Sequence, residues 1–103
     1  MQFDVYANPN PAARKHAPFV IDLQSDHLDR IATRLCAPLK PLKFAERTID
    51  GLMPEVGVGG KTYRVYFQEL AAVPAHMLGS PKDSLAEQRH RFVAAIDLLV
   101  TGI

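Results

Sequence analysis

The stretch Val56-Gly57-Val58-Gly59-Gly60-Lys61-Thr62-Tyr63-Arg64-Val65 limits the possible folds more than any other part of the chain. Two segments of strand character flank a Gly-Gly pair. A two-residue hairpin turn needs positive φ angles, which glycine adopts without steric cost. The chain is therefore expected to reverse at Gly59-Gly60 and pair the flanking strands. Beyond the turn, Tyr63, Val65 and Phe67 share one face. A phosphate-cradling glycine loop is the sharper alternative. It fails because no helix start follows the glycines.

The same alternation recurs upstream. Phe3 and Val5 alternate with Gln2, Asp4 and Tyr6, the pattern of a half-buried strand. Asn8-Pro9-Asn10-Pro11 breaks it, since proline removes ladder donors and asparagine favours turns. A second strand is expected over residues 19–23, with Phe19, Ile21 and Leu23 on one face and Asp22 on the other. A third is expected over residues 34–39, with Leu35, Ala37 and Leu39 on one side. Pro38 places that strand at an edge or a bulge. Between the two, Ser25-Asp26-His27-Leu28-Asp29 reads as a polar turn holding one conspicuous leucine. After the hairpin, residues 68–72 suit one helical turn and residues 73–78 another strand, with Pro74 again implying an edge.

The end of the chain changes character. Ser84-Leu85-Ala86-Glu87 has the spacing of a capping box, with the Ser84 hydroxyl accepting from the Glu87 amide. Leu85, Phe92, Ile96 and Leu99 follow at helical spacing, and Gly102 suits the left-handed residue past a helix end. A helix is therefore predicted over residues 85–100. Several strands followed by one helix give a mainly β (α+β) class: a small β-barrel with a helix packed on it. The 103 residues suit one domain, 1–103.

Composition narrows the chemistry. Twelve basic and 11 acidic residues leave a formal charge of +1, which disfavours binding driven by nucleic-acid phosphates. The amino-terminal Met1-Gln2-Phe3-Asp4-Val5-Tyr6 lacks a basic segment followed by an apolar run, and no apolar run is long enough to span a bilayer. A cytoplasmic protein without membrane contact is expected. Cys36 is the sole cysteine, which fits a reducing compartment, and its neighbours suggest a semi-buried strand thiol. His16, His27, His76 and His90 show no metal-binding spacing, so neither metal nor cofactor is expected. No G-x-S-x-G is present. His16, Arg34 and Asp22 are the residue types that ribonuclease chemistry needs: an acid, a base and a phosphate-stabilising cation.

The last six residues, Leu98-Leu99-Val100-Thr101-Gly102-Ile103, are more unusual, because a chain end is normally polar and frayed. Composition alone favours Ile103 tucking back onto its own helix. The functional reading makes it an anchor for a partner. A fully buried Ile contributes ~1.5–3 kcal/mol, enough for a binding hot spot.

The sequence resembles the CcdB toxin family from end to end. The resemblance rests on Met1-Gln2-Phe3 with Val5-Tyr6 and on Phe19-Val20 followed by Leu23-Gln24-Ser25-Asp26. Ala37-Pro38-Leu39, Ala72-Val73-Pro74, Ala95-Ile96 and Gly102-Ile103 extend it. No single tripeptide is specific; their order and spacing make the set specific. The resemblance implies an SH3-like β-barrel with a small accessory sheet and a C-terminal helix, assembled as a two-fold homodimer. It implies a non-catalytic toxin that binds the A subunit of DNA gyrase and traps its cleaved-DNA complex. It also implies a CcdA-like antitoxin whose disordered tail folds onto the toxin.

In the family the last three residues contact gyrase. Gly102 and Ile103 match that motif. Thr101 departs from it, since the best-known member carries Trp there, and the change removes a large apolar contact. The turn after Ser25-Asp26 belongs to the same face. Its positions are His27 and Leu28, where the family pattern is two aliphatics. Asp97 and Val100 lie one helical turn apart beside the tail. Two other readings compete: an endoribonuclease toxin of the related MazF/Kid type, and a non-toxic binding module that has lost its target.

Overall fold

The computed structural model describes residues 1–44 and 47–102 of the chain. Seven strands form one antiparallel sheet that curls into a nearly closed barrel: β1 (Asp4–Ala7), β2 (Phe19–Asp22), β3 (Thr33–Pro41), β4 (Glu55–Val58), β5 (Lys61–Val65), β6 (Ala71–Pro74) and β7 (Asp83–Ser84). The order is β4-β5-β3-β2-β1-β7, and β6 branches off β3. One helix, α1 (Arg89–Thr101), follows.

The expected hairpin is present. Gly59 and Gly60 take φ angles of 59° and 81°, and Val56 pairs with Tyr63 across the turn. Tyr63, Val65 and Phe67 all enter the core, as their spacing predicted. Asn10 caps a short 3-10 turn after β1 by accepting from the Ala12 amide, which explains the break read from the Asn/Pro cluster.

Pro38 is not at an edge. It lies within β3, the most highly paired strand, opposite Val20 of β2. On its other flank β3 changes partner, pairing with β6 over residues 33–36 and with β5 over 39–41. The Pro38 carbonyl accepts from the Tyr66 amide at 2.9 Å. Its donor-less nitrogen faces the same side, into the fork where residues 66–70 leave the strand. Proline is tolerated there because the fork asks for no ladder bond. β6 pairs only with this first half of β3 and joins the barrel through it.

The fork also corrects the face assignment of β3. Ala37 and Leu39 join the main core, but Leu35 is exposed while Arg34 and Cys36 are buried. Cys36 packs with Tyr6 and Val20 in a second apolar cluster, covered by Val73 and Leu78. The β1–β2–β3 sheet is thus buried on both faces, so Asp22, read as facing away from the core, is enclosed as well. The segment after β5 is offset from expectation. The 3-10 turn spans Phe67–Glu69, β6 starts at Ala71, and Ala75–Met77 is a turn rather than strand.

The helix starts later than the capping box implies. Ser84 is a β7 residue paired with Asp4, and Leu85 donates to the Phe3 carbonyl at 2.9 Å. The Ser84 hydroxyl accepts from the Ala86 amide, not from Glu87, and only a 3-10 turn precedes α1. Sheet pairing has taken the residue that would have capped. Phe92 and Ala95 carry the helix into the core; the Phe92 ring centroid lies 5.5 Å from that of Phe3 and 6.1 Å from that of Phe67. A large side chain buried this completely stabilises by ~1.5–3 kcal/mol. Ile96 is half-buried against the core, whereas Leu99, expected on the same face, is exposed. Among the described residues, no helix is long and apolar enough to cross a membrane.

Candidate target-binding site

The residues singled out from the sequence fall into two patches. The first is the last turn of α1. Gly102 has φ 77° and donates to the Leu98 carbonyl at 3.0 Å, so it ends the helix as its position predicted. Val100 is 72% exposed. Thr101 Oγ1 donates to the Asp97 carbonyl at 2.7 Å. That bond joins two candidate residues and satisfies the hydroxyl within the helix. Asp97 is exposed and borders a shallow depression of about 370 Å³ whose floor includes Val93 and Ala94. Ile103 lies outside the described residues.

The second patch is the turn between β2 and β3. His27 and Leu28 sit in a single 3-10 turn, Asp26–Leu28, capped by the Ser25 side chain, which accepts from the His27 amide at 3.2 Å. Both are exposed, Leu28 at 48%. Among the described residues no hydrogen bond or ion pair joins this turn to the last turn of α1. Gln2 ties the turn only to the opposite, N-terminal end of α1. The Gln2 amide donates to Asp26 Oδ1 at 2.9 Å, and its side-chain carbonyl accepts from Arg89 at 3.3 Å.

What anchors the turn escaped the sequence reading. Arg34, buried at the start of β3, donates from Nε to Asp22 Oδ2 at 2.9 Å. Its Nη2 donates to the Gln24 carbonyl at 2.8 Å and reaches Asp26 Oδ1 at 3.4 Å. Burial alone would lower the Arg34 pKa, but the hydrogen bond and charge of Asp22 outweigh it, and the pKa rises. A charge enclosed this way persists only with such partners. The sequence did carry a signal: one Asp and one Arg, each embedded in a strand with apolar neighbours, call for each other.

Asp22 and Arg34 thus come together as the ribonuclease hypothesis required, but His16 does not join them. His16 packs edge-on against Phe44, with ring centroids 5.1 Å apart. Arg34 already spends its Nε and Nη2 on protein acceptors, which leaves it poorly placed to receive a phosphate. Cys36 is fully enclosed rather than semi-buried. Burial, reinforced by the charge of Asp22, pushes its thiol up to about 12. Among the described residues no three His, Cys, Asp or Glu side chains converge as a metal site.

A sequence profile described as CcdB protein matches residues 2–102 of the 103-residue chain. The chain belongs to the CcdB family. Membership makes it a toxin of a toxin–antitoxin pair. The match begins on the Gln2 that ties the turn to the start of α1 and ends on the Gly102 that stops the helix, so it spans both patches. Within this CcdB-family chain, the turn and the last helical turn are the candidate contact regions.

Proposed function

We propose that the protein poisons DNA gyrase without catalysis: as a homodimer it binds the A subunit, traps the cleaved-DNA complex, and is neutralised by a CcdA-like antitoxin. Both target and antitoxin place it in the cytoplasm. The observation that carries this reading is the family match over residues 2–102, which includes the tail motif through Gly102. Contact falls to Thr101, Gly102 and Ile103, with Asp97 and Val100 beside them and His27 and Leu28 on the turn. The exposure of Val100 and Leu28 supports that assignment, since apolar side chains held out of the core suit a partner surface.

A homodimer accounts for a further exposed apolar region. Leu35 of β3 pairs with Ala72 of β6, and both are exposed. Ile31 and Met77 are exposed nearby, where the Ala75 amide donates to the Ala32 carbonyl at 2.8 Å. A second copy related by a two-fold axis would cover such a face and present two tails as one surface.

Deleting Gly102-Ile103 is expected to abolish growth inhibition while leaving the barrel and the dimer intact. Killing by the truncated protein would refute the tail assignment. Thr101 and His27 support a second reading, a binding module that has lost its target. Expression without antitoxin in a gyrase-sensitive host separates the two: arrested growth supports the poison, and normal growth with soluble protein supports the inactive module.

A further inference from the structure

The loop that presents His27 and Leu28 has an unusual construction. From Gln24 to Thr33 no residue is buried, so no apolar side chain fastens it to either core cluster. A loop of this length without apolar anchors ordinarily samples many shapes. Besides the bonds of Arg34 and Gln2 to Asp26 and the Ser25 cap, one side chain holds its backbone at three points. Gln24 Nε2 donates to the Leu28 carbonyl at 3.3 Å and to the Thr33 carbonyl at 3.0 Å, and Gln24 Oε1 accepts from the Leu35 amide at 3.0 Å. The Gln24 backbone is fixed in turn by the buried ion pair: its amide donates to Asp22 Oδ1 at 3.0 Å and its carbonyl accepts from Arg34 at 2.8 Å.

We propose that Gln24 is a positioning residue for target recognition: its carboxamide clamps the Leu28 carbonyl to the start of β3 and so pre-shapes the turn that meets gyrase. This rests on the reading of His27 and Leu28 as target contacts. The carboxamide suits the task because it offers donors and an acceptor from one planar group. The turn it closes presents side chains outward while its backbone is fixed inward. Loss of the clamp leaves the contact residues chemically intact but requires the target to order them on binding. Gln24 contributes nothing to either apolar cluster, so the packed core should survive its replacement while the start of β3 loses two bonds.

The test is a double-mutant cycle on the full-length protein, reading affinity for purified gyrase A subunit. Gln24→Ala is expected to weaken binding by about tenfold, the loss of one or two hydrogen bonds' worth of order. Gln24→Glu keeps the acceptor for Leu35 but lacks the donors, and is expected to weaken binding similarly. Amide exchange at residues 27–29 should speed up in both variants, with the cooperative thermal transition of the barrel retained. In a Leu28→Ala background the Gln24 effect should shrink, because the clamp acts through the turn. Unchanged affinity in Leu28→Ala would overturn the target reading of the turn, and the inference with it. Weakened binding in Leu28→Ala combined with full affinity in both Gln24 variants, or with strictly additive losses, would overturn the positioning role alone.

Discussion

β3 carries a leucine in each half, four residues apart. Leu39, beside β5, is 0% exposed, whereas Leu35, beside β6, is 37% exposed. The half around Leu39 is held by packing: Ala37, Leu39 and Val65 belong to one apolar cluster that the aromatic rings of Phe3, Phe67 and Phe92 complete. The half around Leu35 has only the small cluster of Cys36 with Tyr6 and Val20 and adds polar bonds, from Arg34 to Asp22 and from Gln24 to the backbone of Thr33 and Leu35. On the proposed reading, the division follows from use. A region that must keep apolar side chains available to a partner cannot also bury them, so its order comes from directed hydrogen bonds. Such bonds fix a geometry while contributing little net stability each, ~0.5–1.5 kcal/mol.

The comparison breaks if the two halves respond alike to substitution. Leu39→Ala removes core volume where the walls cannot collapse and should cost ~3–5 kcal/mol by denaturant unfolding. Asp22→Ala attacks the polar half at its base. It leaves the buried Arg34 with Asp26 as its remaining carboxylate, and the expected loss is ~3 kcal/mol, at the lower end for a broken buried pair. A much smaller loss would mean that water enters the polar half freely. Gly60→Ala supplies an internal scale, because a Cβ there meets no atom within 4 Å and only the positive φ is penalised. Its cost should be ~1–2 kcal/mol. Leu35→Ser should change the unfolding free energy of the monomer by no more than ~0.5 kcal/mol. The same substitution should weaken self-association in sedimentation experiments if a second copy covers this face. A large monomer effect would place Leu35 with the packed half and erase the distinction.

Much of the packed half was legible in the sequence. The Gly59-Gly60 turn, the alternation through Tyr63, Val65 and Phe67, and the core face of β2 depend on near neighbours, and near neighbours can be read from the chain. The errors came where a distant strand decided the outcome. Ser84 looked like a helix cap until β1 claimed its backbone, and Pro38 looked like an edge residue because nothing local announces a fork. Leu35 was assigned inward by period, yet β6 and the Arg34 pair invert that stretch. The candidate site divides the same way. Gly102 ends the helix by a local rule, and the tail was found through resemblance. The Gln24 clamp joins residues up to 11 positions apart and has no periodic signature. Phe3 was equally hidden: its φ of 68° is rare for a bulky residue. It is held there by an amide donating to Asp22 O and a carbonyl accepting from Leu85.

Cys36 gives the molecule a built-in clock. It is the only thiol in the chain, it lies between the two halves of β3, and its raised pKa keeps it protonated as well as enclosed. Thiol reagents react with the thiolate, so the folded protein should ignore a maleimide until β3 separates from its neighbours. The labelling rate then measures how often that opening occurs, and where reclosing outpaces labelling it reports the opening equilibrium directly. A bound partner that closes over the polar half should slow this rate in proportion to its hold on β3, with no engineered probe in the chain.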